Sequence, residues 1–173
     1  ILIAAIGHDV EHTGQNNAFH VASSSPIAVL YNDRSVLENH HAATLFKLAR
    51  DEKSNLFAPL PVAQRREVRD LIVSMVLGTD MSVHFTNVNR LRGMLEADGG
   101  NLDLEKKDDK SFVLEMVIHS ADVANPTRSE WLYRQWTERV MQEFYVQGDL
   151  EKQNGLPVSN FYDRSQPNVP KCQ

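Results

Sequence analysis

His8, Asp9, Glu11 and His12 fall within five positions, directly after the apolar run Ile1–Ile6. Imidazole and carboxylate together are the ligand set of zinc and similar ions. Neighbouring side chains point to different sides in the middle of a helix. At a helix end, where Gly7 frees the backbone, His8 and Asp9 can converge on one ion. His12 lies one turn beyond His8 and is placed to hydrogen-bond a water held there. The rival reading is an ordinary solvated helix terminus. Asp122 adds weight to the metal. It sits in IHSADVANPT, between Val117–Ile118 and Pro126, on a segment that reads as buried. Buried carboxylates are paired or metal-bound, or else make local backbone hydrogen bonds.

Other polar residues have more than one role open to them. His119, one turn before Asp122, is expected to be hydrogen-bonded and structural. Glu38 closes the pattern Ser35-x-x-Glu38, which is also a capping box. His40 and His41 are adjacent and face different ways, so at least one is expected to pack or meet solvent. Thr79 and Asp80 follow Gly78 and suit a capped helix junction. Trp131, Tyr133, Trp136, Val140 and Phe144 recur at helical spacing, which reads more readily as core than as a ligand box.

The elements that must position these residues are helices. Ile1–Ile6 reads as the end of a buried helix. Thr13–Pro26 is a loop with short helical pieces, and Ser35–Ala49 has helical periodicity. A helix opening at Pro61 is expected to bury Val68, Leu71, Ile72, Met75 and Val76. Further helices are predicted over about Asp80–Ala97, from Ser111 towards Pro126, and along 129–153. A polar loop from Asp98 to Lys110 separates two of them, and a Pro-containing loop runs from Gly155 to Gln173. No strand, hairpin or repeat signal is visible. The expected fold is all-α, a compact multi-helix domain over residues 1–173.

Bulk properties narrow the function. A formal net charge of -5 leaves no footprint for nucleic acid or an anionic membrane. An anionic substrate must therefore meet local positive charge, which a metal supplies. Cys172 is the only cysteine, so neither a disulfide framework nor a cysteine zinc site is available. This fits an intracellular, cytoplasmic setting. No apolar run approaches the ~20 residues of a membrane span.

Together, HDVEHTGQNN, YNDRSVLENHH, TDMSVHF, HSADVANPT and YRQWTERVMQEF, in this order, resemble the catalytic domain of class I 3′,5′-cyclic nucleotide phosphodiesterases. The resemblance implies an all-helical domain of the HD type. It implies hydrolysis of cAMP or cGMP to nucleoside 5′-monophosphates, assisted by two divalent ions, zinc and magnesium (or manganese). His8, Asp9 and Asp122 match metal ligands, with Asp9 bridging both ions. His12, Glu38 and Thr79 match residues that hold catalytic waters of the second ion. Asn125, Tyr133, Trp136, Thr137 and Val140 match the nucleotide pocket, with Met81 lining it. Gln173 matches the purine-binding glutamine. The family also carries an upstream HNxxH segment and C-terminal helices. Neither is present here, so this stretch by itself is expected to be inactive, with regulatory domains elsewhere. The alternatives are another HD-type metal phosphohydrolase and a helical domain that binds cyclic nucleotide without turnover.

Overall fold

The computed structural model describes residues 1–97 and 103–167. Among these the chain is all-helical, without strands. It divides into two compact units. The first comprises Ile1–Glu11 and Glu38–Asp122; the second comprises His12–Leu37 and Val123–Gln173.

The first unit is built on α1 (Leu2–Gly7), α4 (Val36–Leu48), α5 (Val62–Leu77), α6 (His84–Ala97) and α7 (Lys107–Asp122). α4 begins two residues before this unit. Ala4, Ala42, Ile72, Met75, Val76 and Ile118 form its buried cluster, drawn from α1, α4, α5 and α7. In α5 the spacing Ile72, Met75, Val76 puts three buried side chains on one face, while Val68 and Leu71 pack at its edge. A fully buried side chain of this size stabilises by roughly 1.5–3 kcal/mol relative to exposure. α1 departs from the expected buried helix. Ala4 is fully buried, but Leu2 and Ile6 are 76% and 86% exposed. A single turn and a half of helix can turn only one narrow stripe inward. Pro61 caps α5 from the position before its first turn.

Two close approaches shape this unit. A Cβ on Gly7 would lie 2.6 Å from Leu45 Cδ1, so α1 meets α4 closely there and a larger residue would require the Leu45 side chain to shift. Glycine at position 78 likewise faces the Cβ and Cγ of Glu115 on α7. A short 3-10 turn, Met81–Val83, follows and leads into α6.

The second unit contains α2 (Asn17–Ala22), α3 (Pro26–Leu30), the 3-10 turn Asn125–Thr127 and α8 (Glu130–Gln153). Asn16 caps α2 by accepting from the Phe19 amide, and Ser25 caps α3 ahead of Pro26. Gln147 of α8 accepts from the Asn16 amide at 2.8 Å and donates to Glu151 at 2.8 Å. Buried Glu151 also accepts from the amide and hydroxyl of Ser159, each at 2.7 Å. These bonds answer the cost of burying a carboxylate. They also tie the segment after α8 back onto it, and Phe144 stacks on Tyr162 with ring centroids 4.4 Å apart.

The apolar stripe of α8 is not the core expected of it. Trp131 is 70% exposed and Trp136 is exposed as well, while Tyr133, Val140 and Phe144 are half-buried. The residues that α8 buries are Met141, Gln147, Gly148 and Glu151. Helical spacing identifies a face but not what covers it. No single described helix is long and apolar enough to cross a membrane.

Candidate metal centre

α1 ends at Gly7, and the chain turns immediately, with the Val10 amide donating to the Gly7 carbonyl at 3.3 Å. That turn brings the two adjacent ligand candidates to one side. His8 Nδ1–H donates to the Ala5 carbonyl at 2.7 Å. This assigns the tautomer and leaves Nε2 for other work. Nε2 lies 3.2 Å from Asp9 Oδ2 and 3.2 Å from Asp122 Oδ1, the latter at the C-terminal end of α7. The ligand atoms of His8, Asp9 and Asp122 all lie within 4.8 Å of one another.

This donor set fits a divalent cation. One imidazole and two carboxylates give a mixed N/O site carrying two negative charges. The two 3.2 Å separations from His8 Nε2 lie near the ~3.3 Å edge of a tetrahedron whose metal–ligand bonds are ~2.0–2.1 Å, and the two carboxylates lie within 4.8 Å of each other. The protonation of His8 points the same way. Its hydrogen bonds to Asp122 first, and then to Asp9, raise its pKa to about 10. Without a metal, a proton thus supplies the positive charge that the carboxylates demand.

A fourth side chain joins them. His41 of α4 is buried, and its Nδ1–H donates to the Val10 carbonyl at 2.7 Å. Its Nε2 lies 3.8 Å from Asp9 Oδ1. The sequence left His40 and His41 indistinguishable. The signal that separates them is the helix face, since α4 turns His41 inward together with Ala42. His40 instead meets Glu11, Nε2 to Oε2 at 2.9 Å.

Asp122 is not the buried carboxylate that its apolar neighbours suggest. Its side chain is 34% exposed, because α7 ends there. What singles it out is convergence with His8. His119, one turn earlier, is buried, and its Nε2 lies 2.8 Å from His84 Nδ1 of α6, within hydrogen-bond distance. Burial, and then the charge of His84, lower the His119 pKa. The hydrogen bond expected of His119 is present.

The remaining predicted residues are distributed as follows. Thr79 is buried and its hydroxyl donates to the Val76 carbonyl at 2.7 Å. Asp80, also buried, caps the next turn by accepting from the Ser82 amide. Thr79 and Asp80 thus form the capped junction predicted for them. Glu38 lies half-buried in the first turn of α4 and His12 in the second unit, where Nδ1 accepts from the Gly14 amide. Neither belongs to the His8–Asp9–Asp122 cluster. Met81 is exposed in the 3-10 turn of the first unit. In the second unit Asn125 opens a 3-10 turn. Tyr133, Trp136, Thr137 and Val140 share one face of α8 by their spacing. Trp136 also borders a shallow hollow of about 160 Å³ with Leu132, Gln135 and Arg139. Gln173 lies outside the described residues.

Comparison with known proteins bears on this geometry. The family model described as 3'5'-cyclic nucleotide phosphodiesterase matches residues 1–173. The chain is 43% identical, over 99% of its length, to the dual specificity calcium/calmodulin-dependent 3',5'-cyclic nucleotide phosphodiesterase 1 of Drosophila melanogaster, of which it covers 20%. It is 42% identical, over its whole length, to the 1B form of Mus musculus, of which it covers 31%. Among solved structures, it superposes on the phosphodiesterase domain of the RhoPDE fusion protein from the choanoflagellate Salpingoeca rosetta with a TM-score of 0.92 at 36% identity. That match covers 95% of this chain and 52% of the solved one. The chain therefore spans about a fifth to a third of these curated relatives and half of the solved domain. With a whole-length family match, an all-helical fold that superposes on a solved phosphodiesterase domain and an HD pair converging on a distant aspartate, this chain belongs to the 3'5'-cyclic nucleotide phosphodiesterase family.

Proposed function

We propose that this chain forms part of the catalytic centre of an enzyme that hydrolyses 3′,5′-cyclic purine nucleotides, cAMP or cGMP, to nucleoside 5′-monophosphates. The observation that carries the reading is the convergence of His8 Nε2, Asp9 and Asp122 within 4.8 Å. His8, Asp9 and Asp122 would hold one divalent ion and Asp9 would also serve a second; that these are zinc and magnesium or manganese is what the family resemblance implies. Such ions supply Lewis acidity, polarising phosphoryl oxygens and acidifying water near neutral pH.

The chain's own residues do the rest. The Ala5 carbonyl orients the His8 ring, and His41 lies against the far oxygen of Asp9. His12, Glu38 and Thr79 are proposed to order the waters around the second ion. Asn125, Tyr133, Trp136, Thr137, Val140 and Met81 are proposed to hold the nucleotide, with aromatic surface facing the base. The Gln173 amide, with one acceptor and two donors, suits either purine edge. Water adds across the bond between phosphorus and the 3′ oxygen, and that oxygen leaves with a proton. An intracellular location accompanies this reading.

Product analysis tests it, in a polypeptide as long as the solved phosphodiesterase domains. Cyclic nucleotide incubated in ¹⁸O-water should yield 5′-monophosphate carrying one label. Chelator should abolish turnover and Mn²⁺ or Mg²⁺ with Zn²⁺ should restore it. Binding without turnover, or turnover indifferent to chelator, would refute the proposal.

A further inference from the structure

The segment that carries His8 and Asp9 is held at one end by α1. Its other end is Glu11, whose backbone is unusual. Glu11 has φ of 61°, in the left-handed region that side-chain-bearing residues seldom occupy. Such a conformation persists where surrounding contacts hold it. Here those contacts come from one helix. Glu11 Oε2 accepts from His40 Nε2 at 2.9 Å and from the Thr44 hydroxyl at 3.2 Å. One residue earlier the Val10 carbonyl accepts from His41 at 2.7 Å. His40, His41 and Thr44 thus grip the segment just beyond Asp9 from adjacent turns of α4.

We infer that Glu11 is a positioning residue: its carboxylate, clasped by His40 and Thr44, holds the His8–Asp9 turn in the shape that receives a divalent cation. The inference rests on the metal-binding reading of His8, Asp9 and Asp122. An exposed ion pair contributes little to global stability, and the Glu11 side chain is mostly exposed. Its effect is therefore expected in metal affinity rather than in folding. Outer partners of a metal site commonly change affinity by 10–100-fold.

The test is Mn²⁺ binding to a chelator-treated polypeptide as long as the solved phosphodiesterase domains, by calorimetry or electron paramagnetic resonance, alongside the thermal midpoint of its metal-free form. Glu11→Gly removes the carboxylate while making the left-handed backbone easier. A purely conformational role predicts equal or tighter binding, whereas the clasp predicts about tenfold weaker binding. His40→Ala should produce a similar loss from the other side. The double variant should be no more than about twofold worse than the weaker single, because both remove one interaction. Glu11→Gln keeps an acceptor for both donors and should stay within about threefold of the parent. The metal-free midpoint should barely move in any of them. Losses under about threefold in both single variants, or losses that multiply in the double, overturn the clasp while leaving the metal site intact. A parent chain that binds no Mn²⁺ overturns both.

Discussion

Under the proposed metal reading, His8 carries a proton that an incoming ion must displace. Its pKa, raised to about 10 by Asp122 and Asp9, leaves it an imidazolium between two carboxylates at neutral pH. Because the folded value lies above the ordinary 6.5, the stabilisation is complete below pH 6.5 and is lost as pH rises through about 10. The metal-free thermal midpoint should therefore drift downward across that window, and His8→Gln should flatten the drift. Metal entry needs the neutral ring, so binding at pH 7.5 should release about one proton per chain. Calorimetry in buffers of differing ionisation enthalpy reads this directly. If proton release is absent, Nε2 is not a ligand. Asp9→Ala and Asp122→Ala should each weaken Mn²⁺ binding by ~100-fold or more, beyond the usual effect of outer partners. Asp9 should be the more sensitive, since it faces both His8 and His41.

The helical glycines of this chain are not equivalent. Gly148 on α8 faces the backbone of Tyr162, and an added Cβ would lie 2.0 Å from that carbonyl oxygen. A backbone oxygen cannot rotate aside as a side chain can. Gly148→Ala should therefore destabilise by ~1–3 kcal/mol, the scale of overpacking. Gly93 lies inside α6 with nothing within 4 Å of where its Cβ would stand. Gly93→Ala should stabilise by ~0.5–1 kcal/mol through helix propensity alone. Urea denaturation of the pair gives the two signs. Equal effects would mean that α8 and the segment after it do not pack as described.

At the scale of the molecule, the candidate site joins distant parts of the chain. The first unit draws on Ile1–Glu11 and Glu38–Asp122, and its core unites the helices that end beside the ligands. A metal that binds only the folded state adds ~2.7 kcal/mol at a free concentration of 100 times its Kd. Hydrogen exchange should then slow together in 1–11, in α4 and at the end of α7. Protection confined to 1–11 would indicate a local site that leaves Asp122 out.

Residue types and spacing alone determined the helical class and the helix boundaries to within a few residues, and marked His8, Asp9 and Asp122 as candidates with rival roles still open. They could do so because helix period, caps and prolines are local, and because the HD motif keeps its ligands adjacent. The partner choices belong to the tertiary structure. His41 rather than His40 faces Asp9, because the roll of α4 about its axis is set by its packing neighbours. Asp122 earns its place by meeting His8 across 114 residues of sequence, at a partly exposed helix end that its apolar neighbours disguised. The aromatic stripe of α8 stays largely open, since periodicity marks a face without saying what covers it. The grip of His40 and Thr44 on Glu11 depends on a left-handed backbone for which glutamate is no signal. The contacts of His41, Asp122 and Glu11 are all long-range, and long-range contacts are decided only when separate helices share one core.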